Sequence, residues 1–147
     1  MTSMIFVNLP VTDLARSVAF YEAVGGRKED RFSADDAACI VLSDTIFVML
    51  LTHEKWATFT DRQIPDAHQT AQVMLALATD SREAVDTHLD QASSSGGQAD
   101  VNPKQDYGFM YSRAYGDPDG HIWEVFWMDQ AAVEQGPEAF AAHVGGG

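Results

Sequence analysis

The chain has 147 residues, enough for one domain or two small fused modules with a real core. Its formal net charge of -13 argues against nucleic-acid backbones and anionic membrane surfaces as partners. A single cysteine, Cys39, excludes an internal disulfide and a Cys-rich zinc site. The apolar run at 4–11 is short, holds Asn8 and Pro10, and lacks a basic leader. No run approaches membrane-spanning length, so a cytoplasmic protein is expected.

Residues 4–11 read as a buried strand ended by Pro10. Thr12 or Asp13 then caps a helix in which Leu14, Val18 and Tyr21 recur at helical spacing, and Gly25-Gly26 stops it. Three short strands follow, at about 27–32, 37–42 and 45–52, with Ser43-Asp44 joining the last two. Residues 53–70 show neither period and contain Pro65. They form a linker with a short helical piece near 54–59, whose Trp56 and Phe59 either close over a pocket or pack on the domain.

The pattern then returns. An apolar strand at 72–79 leads to Asp80 or Ser81 as a cap and a helix to about Ala92, with Ala84, Val85, Leu89 and Ala92 on one face. Gly96-Gly97 follows, then strands at about 98–101, 108–115 and 121–127. The last two are joined by Gly116-Asp117-Pro118-Asp119-Gly120, a turn sequence in which Pro118 presets φ and Gly120 tolerates a positive one. Strand, Thr-Asp, helix, Gly-Gly and three strands thus occur twice.

The reading is an α+β fold of two βαβββ modules whose curved sheets form a shared cleft, the natural place for a ligand. The first module spans 1–54, a linker 55–71, the second module 72–129 and a tail 130–147. The tail carries short helical stretches at 131–135 and 138–144, and its triple glycine is expected to be disordered.

On the last strand Ile122, Glu124 and Phe126 share one face, His121, Trp123, Val125 and Trp127 the other. Glu124 stands out as a carboxylate between two large apolar neighbours. It needs solvent, a partner, a metal or a proton. Tyr111 and Arg113 share one face of the preceding strand. If that face is the cleft, Arg113 holds an anionic group and Tyr111 donates a hydrogen bond; if it is the outer face, both are structural. Arg113 paired with Glu124 is a further arrangement. Of the five histidines, His88 is expected to be an exposed helix residue, while His53 and His68 lie in or beside the linker.

The paired modules, the Asp-Pro-Asp-Gly turn with its Glu-bearing strand, and the stretches Phe6-Val7-Asn8-Leu9-Pro10-Val11, Phe20-Tyr21 and Asp106-Tyr107-Gly108-Phe109 resemble the vicinal-oxygen-chelate superfamily. It includes glyoxalase I, bleomycin- and fosfomycin-resistance proteins and extradiol dioxygenases. The closer resemblance is to bacterial proteins labelled predicted lactoylglutathione lyases. It implies a small-molecule ligand, a homodimer and four strand positions that ligate a divalent metal. Those positions match Phe6, with Asn8 on the same face; Met49 or Leu50; Met74, with Gln72 as an alternative; and Glu124. Only Glu124 carries a ligand of the family's kind, and thioethers with one carboxylate make a poor site for zinc, nickel or iron. The expectation is therefore no cofactor, with a divalent metal as the alternative. Three functions follow. A binding protein would hold a partly apolar molecule among Phe6, Asn8, Met49, Trp56, Met74, Tyr111 and Arg113. A metal-dependent lyase or isomerase of glyoxalase I type would use Glu124 as ligand and base. A metal-free enzyme would use Glu124 as general base.

Overall fold

The computed structural model describes residues 1–136. The elements are β1 (Ile5–Val11), α1 (Leu14–Ala23), β2 (Arg27–Ala34), β3 (Ala37–Val41), β4 (Ile46–Thr52), α2 (His53–Trp56), β5 (Met74–Ala78), α3 (Arg82–Ser94), β6 (Gln98–Ala99), β7 (Gln105–Asp106), β8 (Met110–Gly116), β9 (Ile122–Met128) and α4 (Gln130–Gln135). The expected stretch at 138–144 and the terminal glycines lie outside the described residues.

Two sheets repeat one topology. The first runs β1-β4-β3-β2 and the second β5-β9-β8-β6, with β7 also on β8. In each, the strand before the helix pairs in parallel with the last strand, Leu9 opposite Leu50 and Leu77 opposite Val125. The second module differs where one strand was expected. Two two-residue pieces, β6 and β7, pair with opposite ends of β8, and Asp100 between them has a φ of 55°. Pro103 lies in the interval and brings no ladder donor, consistent with the break. The strand expected from residue 72 begins only at Met74.

Caps fix the helix starts. Asp13 accepts from the Arg16 amide at 3.1 Å and Ser81 from the Ala84 amide at 3.0 Å. Thr52 does the same for α2, accepting from the Lys55 amide at 3.1 Å, so the short helix starts earlier than expected.

Period-two alternation sends one face of each sheet to the helices. Leu9, Val48, Leu50 and Ile40 meet Phe20 and Tyr21 of α1, and Tyr115, Trp123 and Val125 meet Val85, Leu89 and Ala92 of α3, in one contiguous core. The modules share that core. The Phe20 ring lies 5.8 Å from Tyr115, and Tyr21 lies edge-on to Trp123 at 6.1 Å.

A buried polar chain joins them more tightly. Tyr21 Oη donates to Asp117 Oδ2 at 2.6 Å and accepts from Trp123 Nε1 at 2.9 Å. Asp117 Oδ1 accepts the amides of Asp119 and His121 at 3.0 and 2.8 Å. Only 2% of Asp117 is exposed. Burial holds its carboxyl above the ordinary value of 3.8, opposed by His121 and by these donors.

Tyr21→Phe removes one donor and one acceptor from this chain and is expected to lower unfolding free energy by about 3 kcal/mol, read as a lower denaturant midpoint at unchanged slope. Because the folded-state value of Asp117 is raised, its protonated form is the one that favours folding. That contribution is complete below 3.8 and lost as pH rises through the folded-state value. Wild type should therefore lose stability relative to Asp117→Asn as pH rises across that range; a constant difference between the two would contradict this.

Candidate functional site

Two surfaces compete for function: the helix-free faces of the sheets, and the seam where the edge strands β1 and β5 flank the linker. On the first face Phe6 and Phe47 stack at 4.6 Å, and Asn8 stands beside Met49 across the β1–β4 pair. Cys39 is opposite Met49 and is fully buried, with burial raising its thiol above the ordinary range. On the second face Glu124 has Ala76 and Ala114 as its cross-strand neighbours. It is half-buried, and its neighbours are too small to close over it.

The four expected ligand positions can be compared directly. Phe6, Met49, Met74 and Glu124 all lie on helix-free faces. Leu50 does not: it is fully buried against the core. The second position is therefore Met49. Two thioethers, a phenyl group and one carboxylate do not suit a hard or borderline divalent ion. Among the described residues no group of three or more His, Cys, Asp or Glu is arranged to hold a metal. The donor set does not fit the metal that the family resemblance implies.

Tyr111 and Arg113 belong to the opposite face, which corrects their assignment to the cleft. They share the face of β8 turned to α3. Tyr111 Oη donates to Asp86 Oδ1 at 2.7 Å, and Arg113 binds Asp86 at 2.9 Å and Asp100 at 2.8 and 3.0 Å. Tyr111 and then Arg113 hold the Asp86 carboxyl below its usual range. Arg113 therefore has no part in compensating Glu124. His88 also departs from expectation. It is half-buried, stacked on Tyr115 at 5.7 Å, with Nε2 unpartnered, and burial lowers its proton affinity.

The seam is a pocket of about 320 Å³. One wall is the β1 edge, Val7 to Pro10. Another is Gln72, Val73 and Leu75 leading into β5, with His121 and Ile122 at the start of β9. Trp56 from α2 and Pro65, Ala67, Thr70 and Ala71 of the linker close it. Its lining is mostly apolar, with Asn8, Thr70, Gln72 and His121 as polar exceptions. Asn8 and Trp56 are thus in the pocket, whereas Phe6, Met49, Met74 and Glu124 are not among its lining. A smaller space of about 250 Å³ continues past Trp56 to Leu51, Phe59 and Thr60. A polar pocket of about 490 Å³ opens from the other side of His121.

The linker is locked over this seam by the turn. The amides of Gln69 and Thr70 bond to the Asp66 carbonyl at 3.0 and 2.9 Å, and the His68 amide bonds to Asp66 Oδ1 at 3.0 Å. That turn sits on Gly120, whose φ is +92°. A Cβ there would lie 2.6 Å from His68 N and 2.7 Å from Ala67 C. His121 Nε2 is 2.8 Å from the Pro10 carbonyl, so Nε2 carries a proton and donates it there. The sequence carried a signal for Gly120 in its turn, but none for its contact with the linker.

Gly120→Ala is expected to cost about 2 kcal/mol and to displace residues 66–70. Thermal unfolding and the fluorescence of Trp56 check this; an unaltered melting point would contradict the tight contact.

The match to known proteins agrees with this architecture. Among solved structures, a hypothetical protein from S. aureus superposes with a TM-score of 0.72 at 22% identity, covering 86% of this chain and 94% of that one. A glyoxalase-related enzyme from Fulvimarina pelagi gives 0.71 at 19%, covering 86% and 88%. The fosfomycin resistance protein FosX from Mesorhizobium loti gives 0.66 at 16%, covering 91% and 98%. These likenesses establish the fold. No curated protein matches. Residues 4–125 match the model of one family, and the chain belongs to the glyoxalase/bleomycin resistance protein/dioxygenase superfamily.

Proposed function

We propose that the protein binds a small, partly apolar molecule in the seam between its modules, without a resident metal. The observation that carries this reading is the pocket of about 320 Å³, within the range of small-molecule sites, with an apolar lining and a few polar groups at its ends. Trp56 offers a ring for stacking, and Asn8 and Gln72 offer amides that orient a ligand. The reading carries no lactoylglutathione lyase step, because the donor set of Phe6, Met49, Met74 and Glu124 lacks the ligands that step needs.

A second reading has one observation in its favour. Glu124 is partly exposed between two alanines, so a substrate has access to it as a general base. Ala71→Trp separates the readings, since Ala71 lines the seam and is exposed enough to take a large side chain. In a thermal-shift screen of aromatic metabolites and drugs, hits should stabilise the wild type equally with and without chelator, and Ala71→Trp should weaken them at least about tenfold. Glu124→Gln should leave binding unchanged. Turnover that survives chelator and vanishes in Glu124→Gln would replace the binding reading with the enzymatic one.

We also propose a homodimer. Ile5, Phe6, Val73 and Met74 are 53, 48, 63 and 56% exposed, apolar groups that a second copy would cover. Sedimentation at twice the chain mass of 16.1 kDa is expected, and a single monomer species at micromolar concentration would overturn it.

A further inference from the structure

We propose that the seam reads its ligand through the main chain of Asn8, and takes a flat, apolar molecule with an adjacent N–H and C=O, as in a lactam ring; the inference rests on the binding reading above. Four consecutive residues, Val7 to Pro10, form one wall of the pocket. Side chains alternate between the two faces of a sheet, so what four in a row present together is the strand's edge, its peptide groups. β1 is the outer strand of its sheet and pairs only with β4.

Alternation decides which of those groups are free. In a strand the N–H and C=O of one residue point to the same side. The Ile5 N–H donates to the Thr45 carbonyl at 2.8 Å, which turns the odd positions, Val7 and Leu9 included, towards β4. The even positions turn the other way, towards the second module. There the Pro10 carbonyl accepts from His121 Nε2 at 2.8 Å, and the Thr12 N–H donates to Asp119 Oδ1 at 3.1 Å. Pro10 has no N–H, and its carbonyl is taken. Asn8 is left as the one residue of this wall with both groups turned to the pocket, and among the described residues neither group has a partner.

A donor and an acceptor side by side call for an acceptor and a donor side by side. A carboxylate or phosphate supplies acceptors alone and would oppose the Asn8 carbonyl. An ammonium supplies donors alone and would oppose its N–H. A lactam supplies both in one plane, and the apolar lining with the Trp56 ring suits a flat body behind it.

The test uses three probes of similar shape: quinolin-2-one, with donor and acceptor; N-methylquinolin-2-one, with the acceptor alone; and indole, with the donor alone. Protein-observed NMR titration gives affinity and location, and hydrogen exchange reads the Asn8 amide directly. Quinolin-2-one should bind about tenfold tighter than either of the others and slow exchange of the Asn8 N–H, which the N-methyl compound should not. Asn8→Pro removes that N–H without touching the ladder to β4, as Pro10 already does in the same orientation, and should bring quinolin-2-one down to the level of its N-methyl analogue. Should that variant not fold, the wild-type series and the exchange of Asn8 decide alone. If the three probes bind the seam equally, or if quinolin-2-one is preferred while the Asn8 amide stays unprotected, the inference is overturned and the seam pocket stands. If none of the three perturbs the seam, both fall.

Discussion

A carboxylate almost sealed from solvent holds the two halves of the chain in register. Asp117 takes the Tyr21 hydroxyl from the first module and two amides from its own turn, while Tyr21 takes the Trp123 indole from the second. Each group alone in that environment would be strongly unfavourable, and removal of any one strands the others. The Asp-Pro-Asp-Gly turn is therefore more than a connection between β8 and β9. Its first aspartate fixes α1 against the second sheet, and its second reaches Thr12 at the start of α1. With the turn fixed, Gly120 offers a flat seat for the linker, and the linker roofs the seam.

This arrangement explains why an apolar pocket forms at the seam rather than on the sheet faces. The helix-free faces carry large apolar groups with little relief: Phe6 against Phe47 on one, Met74 and Phe126 on the other. Glu124 sits there between alanines, without the His or carboxylate companions that would gather a metal. The seam, by contrast, has walls from both modules and a roof. It also has a polar group at one end, because the turn that closes it brings His121. The apolar pocket of this chain thus lies at the edge between modules, off the open faces of the sheets.

Much of the fold was readable from residue order. Helical spacing of Leu14, Val18 and Tyr21, the capping residues Asp13 and Ser81, and the repeated strand pattern all correspond to observed elements. Those signals are local, and local rules reach them. Other features depend on partners distant in sequence. The face of β8 that carries Tyr111 and Arg113 is decided by Asp86 on α3, 25 and 27 residues away. His88 is half-buried because Tyr115 lies across its ring. The candidate pocket was less readable than the fold. Asn8 and Trp56 line the pocket, but Phe6, Met49 and Met74 were expected there because the resemblance directs attention to sheet faces. The linker has no period, and its position comes from a backbone contact at Gly120 that no pattern encodes.

The most direct measurement is the location of a bound apolar aromatic by chemical-shift mapping in the presence of chelator. The account predicts perturbations centred on the Trp56 indole, Ala71, Leu75 and Ile122, with saturation unaffected by added zinc or nickel. Perturbations centred on Phe6, Met49, Met74 and Glu124 that appear only when metal is supplied would contradict it.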